Sequence, residues 1–230
     1  MSNKTKQKVA VFDIDGTIFR SSLLIEILDA LIQERIFPSS VNKEYAKSYK
    51  NWLNRVGTYE DYIMDIVKTF NRHIKGVPYK NFFKVAKRVS DFHKNRVYRY
   101  TRDLVKELKS KGYFLLAISH SPKEVVHEFC HLMGFDKYYG LIYKTNDKNI
   151  LNGERDAIIF NKATLLKRAV KLNNLTLKGS VGVGDTESDI RVLKLVERPI
   201  CFNPNQRLYK HAKRHGWPVV VERKDVIYHL

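Results

Sequence analysis

The sequence predicts an α/β fold: a parallel β-sheet sandwiched by helices, with a small all-helical segment inserted after the first strand. From Thr101 onward, short apolar runs alternate with amphipathic helical stretches. Strands separated by helices imply a parallel sheet covered on both faces. Residues 38–100 break that alternation. They are rich in Lys, Arg, Tyr and Phe at helical spacing and hold no convincing strand. The chain is 43% hydrophobic and 29% charged over 230 residues, which supplies a core and argues against wholesale disorder.

The elements follow in order. Lys8–Phe12 is a short apolar run that reads as a buried strand, with Asp13-Ile14-Asp15-Gly16 at its carboxyl end. Ser22–Arg35 carries apolar residues at 23, 24, 27, 28, 31 and 32, a helical period, with Ser21 or Ser22 as N-cap and Pro38 as terminator. Gly57-Thr58 and Gly76-Val77-Pro78 divide the next stretch into three or four short helices. Thr101–Lys111 is an amphipathic helix stopped by Gly112. Strands are then expected at Tyr113–Ile118, Leu141–Tyr143, Ile150–Leu151, Val181–Val183, Pro199–Phe202 and Pro218–Val221. Helices are expected at Pro122–Met133, Ala163–Leu172, Glu187–Val196 and Gln206–His215.

Composition narrows the function. The 42 Lys+Arg exceed the 24 Asp+Glu by 42 − 24 = +18. Such a charge favours polyanions, anionic membrane surfaces or phosphorylated substrates. Residues 38–100 hold 14 basic and 5 acidic side chains, so 14 − 5 = +9 lies on the helical insertion. No stretch approaches the roughly 18 apolar residues of a membrane span. The polar N-terminus is not a signal peptide. Cys130 and Cys201 lie far apart and form neither a disulfide framework nor a metal motif. A reducing, cytoplasmic compartment is the expectation.

Three loops at predicted strand ends carry polar residues of complementary type. In Asp13-Ile14-Asp15-Gly16-Thr17 two carboxylates point the same way if the chain stays extended. Close carboxylates repel unless a cation lies between them or one holds a proton. Gly16 allows a sharp turn that brings backbone amides near an anion. Ser119-His120-Ser121 leads into a helix N-terminus, a natural anion site. Gly182-Val183-Gly184-Asp185-Thr186-Glu187-Ser188-Asp189 sets two acids four apart at a helix start, and Lys162 opens another helix. Each signal alone reads as a turn, a cap or a solvated lysine. Together they supply a metal pocket, a nucleophile, a phosphate clamp and a countercharge.

The set Asp13-x-Asp15-Gly16-Thr17, Ser119, Lys162 and Gly184-Asp185-x-x-x-Asp189 resembles the four motifs of the haloacid dehalogenase superfamily. VFDIDGTIFRSS, LLAISHSPKEVV with LMGFD, NKATLLKRA, GVGDTESDIRVL and the closing NPNQRLYKHAKRHGWPV resemble its phosphoserine-phosphatase-like subgroup, IB. The resemblance implies a Rossmann-like core over residues 1–20 and 101–230, with a C1-type helical cap over residues 21–100. It implies that Asp13 is the nucleophile and forms an aspartyl-phosphate, and that Asp15 is the general acid/base. Mg²⁺ would be held by Asp13, the Asp15 carbonyl and Asp185, with Asp189 behind them. Ser119, Lys162 and backbone amides near Ile14 and His120 would grip the phosphate, with Gly16 and Thr17 also among the substrate-binding residues. The second aspartate of the first motif, Asp15, is absent from pure dehalogenases and argues for phosphoryl transfer.

The implied substrate is a small phosphorylated metabolite or a lipid-headgroup phosphate. Phosphoserine phosphatase proper usually carries a glutamate nine positions after the nucleophile, where this chain has Ser22. It also favours Ser where this chain has Gly16. Arg55 is the candidate cap arginine that reads a substrate carboxylate. The alternatives are a nucleotide or nucleic-acid-end phosphatase, motivated by the basic cap, or phosphoserine phosphatase proper, and an anionic membrane surface is a less favoured target. A monomer or homodimer is expected. The pairs His127/His131 and His211/His215 lack a third ligand and read as scaffold. Tyr45, Tyr49, Trp52, Tyr59, Tyr62 and Phe70 read as the cap's own core rather than a base-stacking surface.

Overall fold

The computed structural model describes residues 6–156 and 161–230. The strands are β1 (Gln7–Phe12), β2 (Phe114–Pro122), β3 (Lys137–Leu141), β4 (Tyr143–Thr145), β5 (Leu151–Arg155), β6 (Leu175–Gly184), β7 (Arg198–Phe202), β8 (Val219–Arg223) and β9 (Val226–His229). The helices are α1 (Leu23–Gln33), α2 (Asn42–Leu53), α3 (Tyr59–His73), α4 (Tyr79–His93), α5 (Arg99–Ser110), α6 (Lys123–Leu132), α7 (Lys162–Leu172), α8 (Ile190–Leu193) and α9 (Gln206–His215).

Val9, Ala10, Val11 and Phe12 are all buried, as expected of a strand covered on both faces. They place β1 inside a seven-stranded sheet of order β3-β2-β1-β6-β7-β8-β9. Every pairing is parallel except β8 with β9. The chain leaves β1 for β2 on one side, while β6 lies on the other. The carboxyl end of β1 is therefore a topological switch point, where open α/β sheets place their sites.

The helical insertion is α1–α4. Its packing faces bury Leu24, Ile27, Leu31, Tyr62, Ile66, Phe70, Phe82 and Val89 in the same hydrophobic cluster as the sheet. Thr58 caps α3 through a reciprocal pair with Asp61, as the Gly57-Thr58 punctuation suggests. The Ser90 hydroxyl of α4 donates to the Val125 carbonyl of α6 at 3.1 Å, tying the insertion to a helix of the sheet.

Several boundaries differ from expectation. β3 runs over Lys137–Leu141, earlier than Leu141–Tyr143, and pairs with β2. The strand at 150–151 is β5, which pairs antiparallel with β4 outside the main sheet. That hairpin leans on the insertion: Gly76 N donates to Leu151 O at 2.8 Å and Leu151 N to Val77 O at 2.9 Å. The Tyr143 hydroxyl reaches Asn71 Oδ1 at 2.9 Å. The Glu187–Val196 helix is a 3-10 turn, Glu187–Asp189, followed by the short α8. Here Thr186 and Asp189 bond reciprocally and tighten the first turn. The antiparallel edge strand β9 has no counterpart among the expected elements.

Candidate active site

The sheet register brings the motifs together. Phe12 stands opposite Ala117 on β2 and Val183 on β6. Asp13, Ser119 and Asp185 therefore emerge one or two residues beyond a single rung. Asp13 is fixed further by its backbone N–H, which donates to Val183 O at 3.0 Å. Gly16 turns the loop with φ +76°, and a Cβ there would collide with the Asp185 carboxylate.

At the centre, Lys162 Nζ lies 2.6 Å from Asp13 Oδ1 and 2.8 Å from Asp189 Oδ1. All three side chains are buried. Lys162 begins α7, which Asn161 caps by accepting from Thr164 N. The other Asp189 oxygen accepts from the backbone N–H groups of Asp185 and Thr186 at 3.2 Å each. The Thr17 hydroxyl bridges Asp13 Oδ2, at 3.5 Å, and Asp185 Oδ1, at 3.3 Å. The backbone carbonyl of Asp185 accepts from Asn205 N at 2.8 Å.

Electrostatics follow from burial. Burial pushes the Asp13 carboxyl up to about 7; Lys162 opposes the rise, and Asp189 and Asp15 add to it. Burial, with Asp13 and Asp189 beside it, also holds Asp185 well above the usual carboxylate range. Burial works against the Lys162 ammonium, but the two carboxylates outweigh it and raise its pKa. One lysine thus faces an excess of buried carboxylates, an arrangement that calls for a further cation. Oxygens of Asp13, Asp185 and Asp189 lie within 4.8 Å of one another. All are hard carboxylate donors of the kind Mg²⁺ takes, so the residues present fit that ion.

Asp15 does not join this cluster. Its Oδ2 accepts from the hydroxyls of Ser119, at 2.6 Å, and Ser121, at 2.9 Å. Its Oδ1 accepts from Leu23 N at 2.6 Å. Ser22 occupies the N-cap position of α1, but its side chain makes no capping bond. Asp15 caps the helix instead, from the preceding loop, and gains the favourable end of the helix dipole. The two carboxylates of the first motif therefore diverge in their contacts: Asp13 toward Lys162, Asp15 toward α1 and β2.

Residues 10–194 match the family described as haloacid dehalogenase-like hydrolase. The chain belongs to the haloacid dehalogenase-like hydrolases. It is 23% identical to a histidinol-phosphatase of Neisseria meningitidis, across 93% of this chain and 98% of that one. It is also 23% identical to the phosphoserine phosphatase of Methanocaldococcus jannaschii, across 96% and 95%. A solved structure described as a phospho-aspartyl intermediate analogue of phosphoserine phosphatase superposes with a TM-score of 0.62. The two are 22% identical, across 96% of each chain.

Most residues of this hydrolase singled out from sequence converge. Asp13, Thr17, Lys162 and Asp189 are buried together, with the half-buried Asp185 beside them. Asp15 and Ser119 stand beside this group, with Gly16 against Asp185 and His120 half-buried between Ser119 and Ser121. Arg55 is not brought in by any contact. It is exposed on the α2–α3 turn, and its side chain makes no hydrogen bond or ion pair among the described residues. Four residues later, Tyr59 is 42% exposed with its ring against Trp52 and Tyr62; burial of its phenol and then the charges of Asp15 and Asp185 raise its pKa. Tyr98 is likewise raised, by burial and then Asp185.

Sequence spacing groups Tyr59 with the cap core because it matches that of Tyr62, which is buried; its link to the aspartates is not visible in that pattern. Ser121 is a second Asp15 partner that the motifs do not single out, although it lies two residues beyond Ser119. Neither histidine pair forms a three-ligand group among the described residues. No helix among them is long and apolar enough to cross a membrane.

Proposed function

We propose that this hydrolase is a Mg²⁺-dependent phosphatase that cleaves a phosphate monoester through an aspartyl-phosphate on Asp13. The observation that carries the reading is the separation of roles between the two carboxylates of one loop. Asp13 is paired with the buried Lys162 at 2.6 Å, while Asp15 is held apart by Ser119, Ser121 and the start of α1. Two relatives named as phosphatases and the superposed phosphoserine phosphatase support the same reading.

Asp13 attacks phosphorus in line with the ester oxygen and displaces it. Asp15 gives its proton to that leaving oxygen, then takes one from the water that hydrolyses the acyl phosphate. Lys162 offsets the negative charge that nucleophile and phosphate bring together. Ser119 turns from Asp15 to a phosphate oxygen as substrate binds, and the amides near Ile14 and His120 add donors. Mg²⁺ would be held by Asp13, the Asp15 carbonyl and Asp185, with Asp189 orienting them, and would supply charge neutralisation.

Residues 21–100 act as the cap and residues 1–20 with 101–230 as the core. Ser90 of α4 bonding to Val125 of α6 supports a cap that packs against the core. The substrate is a small phosphorylated metabolite or a lipid-headgroup phosphate. A panel of phosphate monoesters with Mg²⁺ tests the reading. Hydrolysis that Asp13→Asn abolishes supports it, and inactivity of the unmodified protein across the panel overturns it.

A further inference from the structure

Glu124 is a buried carboxylate outside the aspartate pocket. It lies in the first turn of α6, where the helix dipole favours an acid, and is only 5% exposed. Its Oε2 is buried and has no hydrogen-bond partner among the described residues. Such an oxygen is costly to leave unsatisfied. Burial pushes the Glu124 carboxyl above the usual carboxylate range.

Glu124 lines a cavity of about 230 Å³ where α4, α6 and β3 meet, together with Tyr79, Phe83, Lys123, His127 and Tyr138. The rings of Tyr79 and Phe83 stack at 6.3 Å. Those of His127 and Tyr138 meet edge-on at 5.0 Å. Phe83 is 37% exposed, so this side of the cavity reaches solvent. Neither nearby basic side chain satisfies the carboxyl: Lys123 is exposed, and His127 bonds Glu128 at 2.9 Å.

A buried acidic acceptor among aromatic rings has the chemistry of an organic-cation site, because a bound cation favours its charged form. The carboxylate accepts charged N–H donors, and ring faces attract the cation. A hard metal ion would want several oxygen ligands, and the lining offers one carboxylate. The volume falls below that of drug-sized pockets and suits an alkylammonium or guanidinium head. We propose that this cavity binds the ammonium or guanidinium group of a small organic cation, with Glu124 as its counter-ion and Tyr79, Phe83 and Tyr138 as its walls.

Calorimetric titration of the full chain with butylammonium and with methylguanidinium chloride tests this, with sodium chloride at matched ionic strength as control. Saturable one-site binding of at least one of the two cations is expected, and sodium chloride should give none. Glu124→Gln should weaken it about tenfold or more, the loss of a charge-assisted bond. Phe83→Ala, at a partly exposed position, should weaken it about 2- to 5-fold. Asp185→Asn should leave it unchanged, which separates this cavity from the acidic catalytic pocket. Absence of saturable binding overturns the proposal. So does full-strength binding by a folded Glu124→Gln or Phe83→Ala protein, or loss of binding in Asp185→Asn alone.

Discussion

Lys162 Nζ stands 2.6 Å from Asp13 Oδ1 and shares its ammonium with Asp189, all three side chains being buried. That one contact joins the lysine that opens α7 to the end of β1. It favours the anionic form of the proposed nucleophile, which burial alone would protonate.

Lys162→Met should lower kcat by about 10²- to 10³-fold, the scale for losing one preorganised electrostatic partner. It should also destabilise the metal-free protein by about 3–5 kcal/mol, because it leaves buried carboxylates unpaired. Steady-state kinetics and denaturant titration in a chelator check both.

The Asp13 carboxyl, pushed up to about 7 by burial, links stability to pH. The folded chain holds this proton up to about pH 7, whereas an unfolded aspartate releases it near pH 4. The contribution is present below pH 4 and lost as pH rises from about 4 to 7. Asp185, raised in the same direction, adds to the loss. Mg²⁺ binds the deprotonated form, so it should raise the thermal midpoint more at pH 8 than at pH 5. In chelator at pH 8, Asp185→Asn should raise the midpoint by about 3 °C or more, since each kcal/mol moves a chain of this size about 2–4 °C. A pH-independent Mg²⁺ response contradicts this.

Gly16 is constrained twice, by φ +76° and by the Asp185 carboxylate where a Cβ would project. Gly16→Ala should cost at least about 1 kcal/mol. It should also weaken the response to Mg²⁺, because Asp185 must move. Thermal denaturation with and without Mg²⁺ measures both.

Tyr59 is the cap side chain that feels Asp15 and Asp185. A Tyr59 hydroxyl that bonds substrate predicts that Tyr59→Phe raises KM about 2- to 10-fold, the loss of one hydrogen bond, and changes kcat less. Equal effects on both constants would move Tyr59 from substrate binding to the chemical step.

The pocket is legible in the sequence because its residues follow apolar strand runs at short, fixed offsets. Phe12 to Asp13, and Val183 to Asp185, are set by the parallel register alone. The cap on α1 is not legible in the same way. Ser22 has the right residue type and position, yet the acceptor is Asp15, eight residues before Leu23 and folded back through the Gly16 turn. The β4–β5 hairpin escapes a sequence reading because its short strands carry no sign of which partner they choose. It is the backbone of residues 76–79, not the main sheet, that takes up Asn149 and Leu151. Tyr59 and Tyr62 share a helical spacing and their rings meet, but only the fold decides that Tyr62 is buried while Tyr59 stays 42% exposed.

The most direct test of the proposed mechanism is acid-quenched mass spectrometry of the protein after incubation with Mg²⁺ and an aryl phosphate. A phosphoryl adduct on the peptide containing Asp13 is expected. It should be removed by hydroxylamine, accumulate in Asp15→Asn and be absent from Asp13→Asn. Hydrolysis by Asp13→Asn at the unmodified rate, or an adduct on another residue, would contradict the account.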